Sequence, residues 1–146
     1  EIENVSGTVR HINILQTKLL TFDNKAIFIP NGQVSEAKIV NFSSQATRRL
    51  DLKFAIGYKV DFKKAQALIA SIIETHELTL KDPEPIIRVC ELTSSSVIIA
   101  LKVWVNTEHY WDVNFDLLEM VKTAFDENNI TIPYNQLDVN VNQVNQ

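Results

Sequence analysis

Arg48-Arg49-Leu50-Asp51-Leu52-Lys53-Phe54-Ala55-Ile56 alternates apolar and polar positions, and beyond Gly57 the period lengthens from that of a strand to that of a helix. Leu50, Leu52, Phe54 and Ile56 fall on one side and Asp51, Lys53 and Ala55 on the other, the signature of a half-buried strand. Gly57 to Asp61 interrupts the alternation. Asp61 is a good helix cap, and Ala65, Leu68, Ile69, Ile72 and Ile73 then recur at helical spacing. So many β-branched residues give a weak intrinsic helix, so burial of that face must hold it.

On the C-terminal side more elements are legible. Asp82-Pro83-Glu84-Pro85 is a rigid loop. Ile86 to Leu92 and Val97 to Val105 read as strands joined by Thr93-Ser94-Ser95-Ser96. In the second of these, Val97, Ile99, Leu101, Val103 and Val105 share a face. A helix from about Asp112 to Asn128 is predicted to bury Leu117, Leu118, Val121, Ala124 and Phe125. Asn128-Asn129 supplies the left-handed residue that ends it. Strand, helix, strand, strand, helix and a final extended segment is the split βαβ, ferredoxin-like order.

Upstream, residues 1 to about 47 carry no long helical period. Thr8 to Ile12, Lys18 to Phe22, Ala26 to Ile29 and Ile39 to Phe42 read as short strands. Asp23-Asn24-Lys25 signals a tight hairpin, and Pro30-Asn31-Gly32 a turn that ends a strand. Such a run predicts a small barrel or twisted sheet. Ser43 to Thr47 is small and polar, a linker. The whole is α+β.

Composition narrows the function classes. The 146 residues are 45% hydrophobic, enough for a real core. The net charge of −4 disfavours a grip on a phosphate backbone, so no nucleic-acid partner is expected. The single Cys90 excludes an internal disulfide, and its place in a strand predicts a small buried side chain. No apolar run approaches the ~18–20 residues that span a bilayer. The first residues carry no signal-peptide pattern, and the absence of an initiator Met suggests a fragment.

Chemistry is sparse. His11, His76 and His109 fall in three elements with no metal-ligand spacing, so no metal and no cofactor are expected. Three glycines exclude a Gly-rich phosphate loop. Asp112, Asp116 and Glu119 share a helix face that reads as solvated. Arg48-Arg49 beside Lys53 reads as a cluster engaged in salt bridges at a domain junction. Trp104 and Trp111 read as packing between helix and sheet. No nucleophile and base come together in the sequence, so no enzymatic activity is expected.

Several runs together carry a family resemblance. They are Gly7-Thr8-Val9, Ile27-Phe28-Ile29-Pro30-Asn31-Gly32, Asn41-Phe42-Ser43, Thr47-Arg48-Arg49, Trp111-Asp112-Val113-Asn114-Phe115-Asp116-Leu117-Leu118-Glu119, Phe125-Asp126 and Ile130-Thr131-Ile132-Pro133-Tyr134. In this order and at these distances the chain resembles the soluble part of the small-conductance mechanosensitive channel family. The resemblance implies a middle β domain of the small Sm/SH3-like kind over residues 1–46, its first strand incomplete. It implies a ferredoxin-like α/β sandwich over 47–137 and a C-terminal strand and tail over 138–146. Asp138, Val139, Asn140 and Val141 would be the strand each subunit gives to an oligomer barrel. It further implies a homoheptameric cage on the cytoplasmic side of a bacterial inner membrane, anchored in the lipid bilayer by transmembrane helices missing here. Ions and small osmolytes would leave through it on hypo-osmotic shock. Asn24, Ser94-Ser95 and Asn135 depart from the family's usual turn residues. From the residues alone, a stand-alone ligand-sensing or regulatory domain of ferredoxin-like fold is the alternative.

Overall fold

The computed structural model describes residues 1–134 apart from Glu3. The chain divides into two compact units, Glu1–Gln45 and a second that starts at Ala46.

The first unit is a three-stranded antiparallel sheet in the order β1 (Thr8–Ile12), β2 (Gln16–Leu20), β3 (Ala26–Pro30). The hairpin between β2 and β3 turns at Asp23-Asn24-Lys25 with Asn24 in the left-handed region, φ 66°. Thr21 Oγ1 donates to the Asp23 carboxylate, and the Thr21 N–H donates to the Lys25 carbonyl at 3.0 Å. Gly7 is needed where it stands, because a Cβ there would lie 2.7 Å from the Leu20 carbonyl oxygen.

Of the two forms expected for this unit, a small barrel or a twisted sheet, the described residues form an open sheet. One expected strand is corrected. The predicted strand at Ile39 to Phe42 reduces to a bridge between Ile39 and Ile2. Asn31 also does not turn the chain away. It begins a short helix, α1 (Asn31–Glu36), and its side chain is a hub. The Asn31 amide donates to the Asn13 carbonyl at 2.7 Å and to Ile14 at 3.1 Å, while its oxygen accepts from Thr17 Oγ1 at 2.9 Å. A Pro-Asn pair read locally signals a turn. Here the asparagine satisfies backbone groups 17 and 18 positions away, which no local rule sees.

The second unit is a two-layer sandwich. β4 (Thr47–Ile56) pairs antiparallel with the long β7 (Val97–Asn106) over ten residues without a bulge. β6 (Ile86–Leu92) pairs with the other side of β7, and the two-residue β5 (Thr79–Leu80) extends that side. α2 (Phe62–Thr75) packs over β6 and β7, and α3 (Tyr110–Glu127) over β4 and β7. Asp61 caps α2 as its type predicts, accepting from the Lys63 N–H at 2.9 Å. Asn129, φ 56°, closes α3. The fourth strand of a complete ferredoxin-like sheet would flank β4. In that place the described chain offers one backbone bond, Gly57 N–H to the Thr131 carbonyl at 3.1 Å.

The core lies between helices and sheet. Leu50, Phe54 and Ile56 of β4, Ile99, Leu101, Val103 and Val105 of β7, and Ile69 and Ile73 of α2 are buried. Phe54 meets Phe125 edge-to-face at 6.2 Å between ring centres. On α3 the buried stripe is Val113, Leu117, Val121 and Phe125, a strict four-residue repeat. The expected helix faces are corrected accordingly. Leu118 is 41% exposed rather than buried, and Ala124 and Leu68 are only half-buried. The repeat drifts by about 40° per step at 100° per residue, so it defines a stripe that leaves Leu118 on its flank.

Candidate functional site

The residue types that carry chemistry stay apart in the fold. His76 ends α2 as its C-cap. Its ring is nearly buried, Nδ1 accepts from the Leu78 N–H at 3.2 Å, and Nε2 lies 3.4 Å from the Asp116 carboxylate on α3. His76 therefore ties the end of α2 to the middle of α3. His11 is exposed on β1, and His109 lies beside Glu108 at 3.4 Å. Asp112, Asp116 and Glu119 do lie exposed on the outside of α3. Among the described residues no three His, Cys, Asp or Glu side chains are grouped to hold a metal.

Cys90 is exposed, which corrects its expected burial. The register of β6 against β7 shifts between Val89 and Glu91, so Cys90 occupies a bulge. Cys90 also has the parity of Ile86 and Arg88, the exposed positions of β6, while Ile87 and Val89 pack against the core.

Arg49 pairs with a carboxylate, whereas Arg48 heads a contact chain of three aromatics. Arg49 holds Asp51 in a bidentate bond, Nε at 2.6 Å and Nη2 at 3.0 Å, and this carboxylate raises the guanidinium pKa further. Arg48 lies over the Tyr110 ring at 3.9 Å. Tyr110 meets Trp111 edge-on at 5.3 Å, and Trp111 stacks on Phe115 at 6.1 Å. Both basic side chains are thus engaged within the second unit. Trp111 and Phe115 remain more than half exposed, so Trp111 does not pack between helix and sheet as expected. Trp104, half-buried, stands on β7 opposite Arg49.

A groove of about 680 Å³ opens along the edge strand β6, lined by Ile73 and Glu74 of α2, by Lys81 and Glu84, and by β6 itself. Lys81 is spent on its wall, donating to the Ile73 carbonyl at the end of α2 and to Thr79 Oγ1 at 2.8 Å. The oligomer strand expected at Asp138, Val139, Asn140 and Val141 lies outside the described residues. Among the described residues no helix is long and apolar enough to cross a membrane.

The described residues thus form an open β unit followed by a helix-backed antiparallel sheet. The chain belongs to the mechanosensitive ion channel MscS family: residues 50–132 match the family's C-terminal model and residues 1–44 its β-domain model. It is 37% identical over 143 residues to the small-conductance mechanosensitive channel of Edwardsiella ictaluri, covering 98% of this chain and 50% of that one. Its fold matches the crystal structure of closed-state Helicobacter pylori MscS with TM-score 0.93 and 30% identity, over 99% of this chain and 57% of that one. Arabidopsis thaliana MSL1 shares the fold at TM-score 0.75 and 15% identity, over 92% of this chain and 51% of that one. The chain therefore spans about half the length of the relatives it matches.

Proposed function

We propose that this chain is the cytoplasmic vestibule of a tension-gated channel that releases ions and small osmolytes on hypo-osmotic shock. The observation that supports this most is the joint match of both family models, in family order, with a solved MscS chain superposing over 99% of the residues. In this reading the protein is a homoheptamer in a bacterial inner membrane. Helices elsewhere in the protein cross the bilayer, and Asp138 to Val141 give one strand per subunit to a closing barrel. Seven strands closing on themselves would leave no edge exposed.

The module carries no catalysis in this reading. Its physical task is to hold a sieve of fixed shape beneath a pore. The bulge-free ten-residue pairing of β4 with β7 suits that task, because a long register resists slippage wherever one face is buried. The test is survival of osmotic downshock. Cells lacking their own mechanosensitive channels and expressing the full-length protein should survive transfer to dilute medium. Survival no better than that of cells carrying an empty vector would sink the proposal.

A further inference from the structure

Both helices of the second unit lie on one face of its sheet, and strand register fixes which residues share the other. Arg49, Asp51, Lys53 and Ala55 of β4 stand opposite Trp104, Lys102, Ala100 and Ile98 of β7. Across β7, Ile86, Arg88 and Glu91 of β6 stand opposite Lys102, Ala100 and Ile98. This face carries four basic and two acidic side chains, a surplus of two positive charges on a chain whose net charge is −4. Both acids are engaged, Asp51 by Arg49 and Glu91 by Lys53 at 3.6 Å. Arg88 and Lys102 have no ion-pair partner among the described residues.

The outer surface of α3 has the opposite sign. Trp111, Phe115 and Leu118, spaced i, i+4 and i+7, form an exposed apolar stripe. Asp112 and Glu119, seven apart, line the adjacent stripe. Both are exposed and without an ion-pair partner among the described residues. The stacking of Trp111 on Phe115 holds both rings in place before any partner arrives, which lowers the ordering cost of association. The two surfaces lie on opposite sides of a two-layer unit, since α3 sits between its own outer stripe and the sheet.

We infer that these surfaces are the two halves of one interface between copies of this chain. The acidic, aromatic face of α3 on one copy seats on the basic open sheet of the next. Asp112 and Glu119 approach Arg88 and Lys102, and the Trp111–Phe115 pair covers Ile86, Ile98 and Trp104. The two halves differ, so the contact is head-to-tail and repeats from copy to copy, closing into a ring where the rotation allows. This deepens the homo-oligomer reading by naming the faces that meet. It rests on that reading only for the number of copies.

Two double variants test it, Arg88→Glu with Lys102→Glu and Asp112→Lys with Glu119→Lys. Thermal unfolding first establishes that each is folded. Sedimentation velocity over a range of protein and salt concentrations then reads association. Each variant alone should associate about tenfold or more weakly than the parent chain, because like charges then face each other. An equimolar mixture should recover association between unlike variants, because in alternating order each reversed face again meets its opposite, while a ring with an odd number of copies keeps one like-charged contact. Trp111→Ala with Phe115→Ala should weaken association with little change in its salt dependence. A parent chain that stays monomeric, variants that associate like the parent, or a mixture that fails to recover would each overturn the inference. Osmotic survival of the full-length protein is read separately. Protection unaffected by loss of this contact leaves the channel reading standing, and intact charge rescue without protection leaves the interface standing.

Discussion

The two units solve the problem of burial differently. The second buries a continuous cluster of sixteen apolar residues between two helices and a sheet. In the first, only Ile2 and Leu19 are buried apolar residues among those described, while Val9, Ile12, Ile14, Leu15, Phe22, Phe28, Ile39 and Phe42 stay exposed. Three five-residue strands with one short helix cannot enclose a core. The first unit instead leans on hydrogen-bonded fixtures: the Asn31 hub, the Asn13 side chain accepting from Leu15 and Gln16 N–H groups, and the Thr21 turn. One chain can thus hold a self-sufficient domain beside one whose apolar surface is left for something else to cover.

The same kind of deletion made in each unit should separate them most. Leu117→Ala empties a fully buried site of the second unit and should cost about 2–5 kcal/mol. Leu19→Ala in β2 should leave protection of the second unit's amides against hydrogen exchange unchanged while lowering that of β1 to β3. Loss of protection in both units from Leu19→Ala would show that they do not fold separately. Gly7→Ala comes next, at about 1–3 kcal/mol on the typical scale of overpacking, because backbone and not a yielding side chain stands 2.7 Å away. Chemical denaturation followed by signals from the first unit would read it. Unchanged stability would mean that β1 moves aside freely.

A neighbouring pair probes the face that α3 buries. Leu118→Asp should change stability by no more than about 0.5 kcal/mol, as surface positions do, whereas Leu117→Asp should unfold the second unit. Equal effects would contradict the four-residue stripe. The smallest effect concerns pH. Lys25 first and Thr21 second lower the Asp23 carboxyl below its ordinary value of 3.8. Its folded pKa is depressed, so its contribution is present above 3.8 and is lost as pH falls below it. Asp23→Asn should therefore destabilise the hairpin slightly at neutral pH and flatten its acid limb below about pH 4. An acid limb as steep as the parent's would exclude this carboxylate as a contributor.

How much was legible in the residues depended on how local the cause was. Alternation in β4 and the Asp61 cap are local, and both elements sit where the residues place them. Asn24 and Asn129 are local too, since few other residues accept their backbone angles. The exposure of Cys90 is local as well, because it shares the parity of Ile86 and Arg88 on the exposed side of β6. Leu118 was misplaced because Leu117 and Leu118 fit a helical period equally well until the packing direction is known. The Asn31 hub was read as a turn because its partners lie 14 to 18 residues away. The aromatic chain from Arg48 to Phe115 likewise depends on β4 lying beneath α3.

If this module serves a channel that membrane tension opens, tension alone must open the whole protein in a bare bilayer. Patch-clamp recording from liposomes that contain only the purified full-length protein asks this without any other cell component. Currents should be silent at rest, appear as suction rises, and vanish when tension is released. A membrane stretched to the edge of rupture with no such current, while the protein is folded and inserted, would contradict the channel assignment.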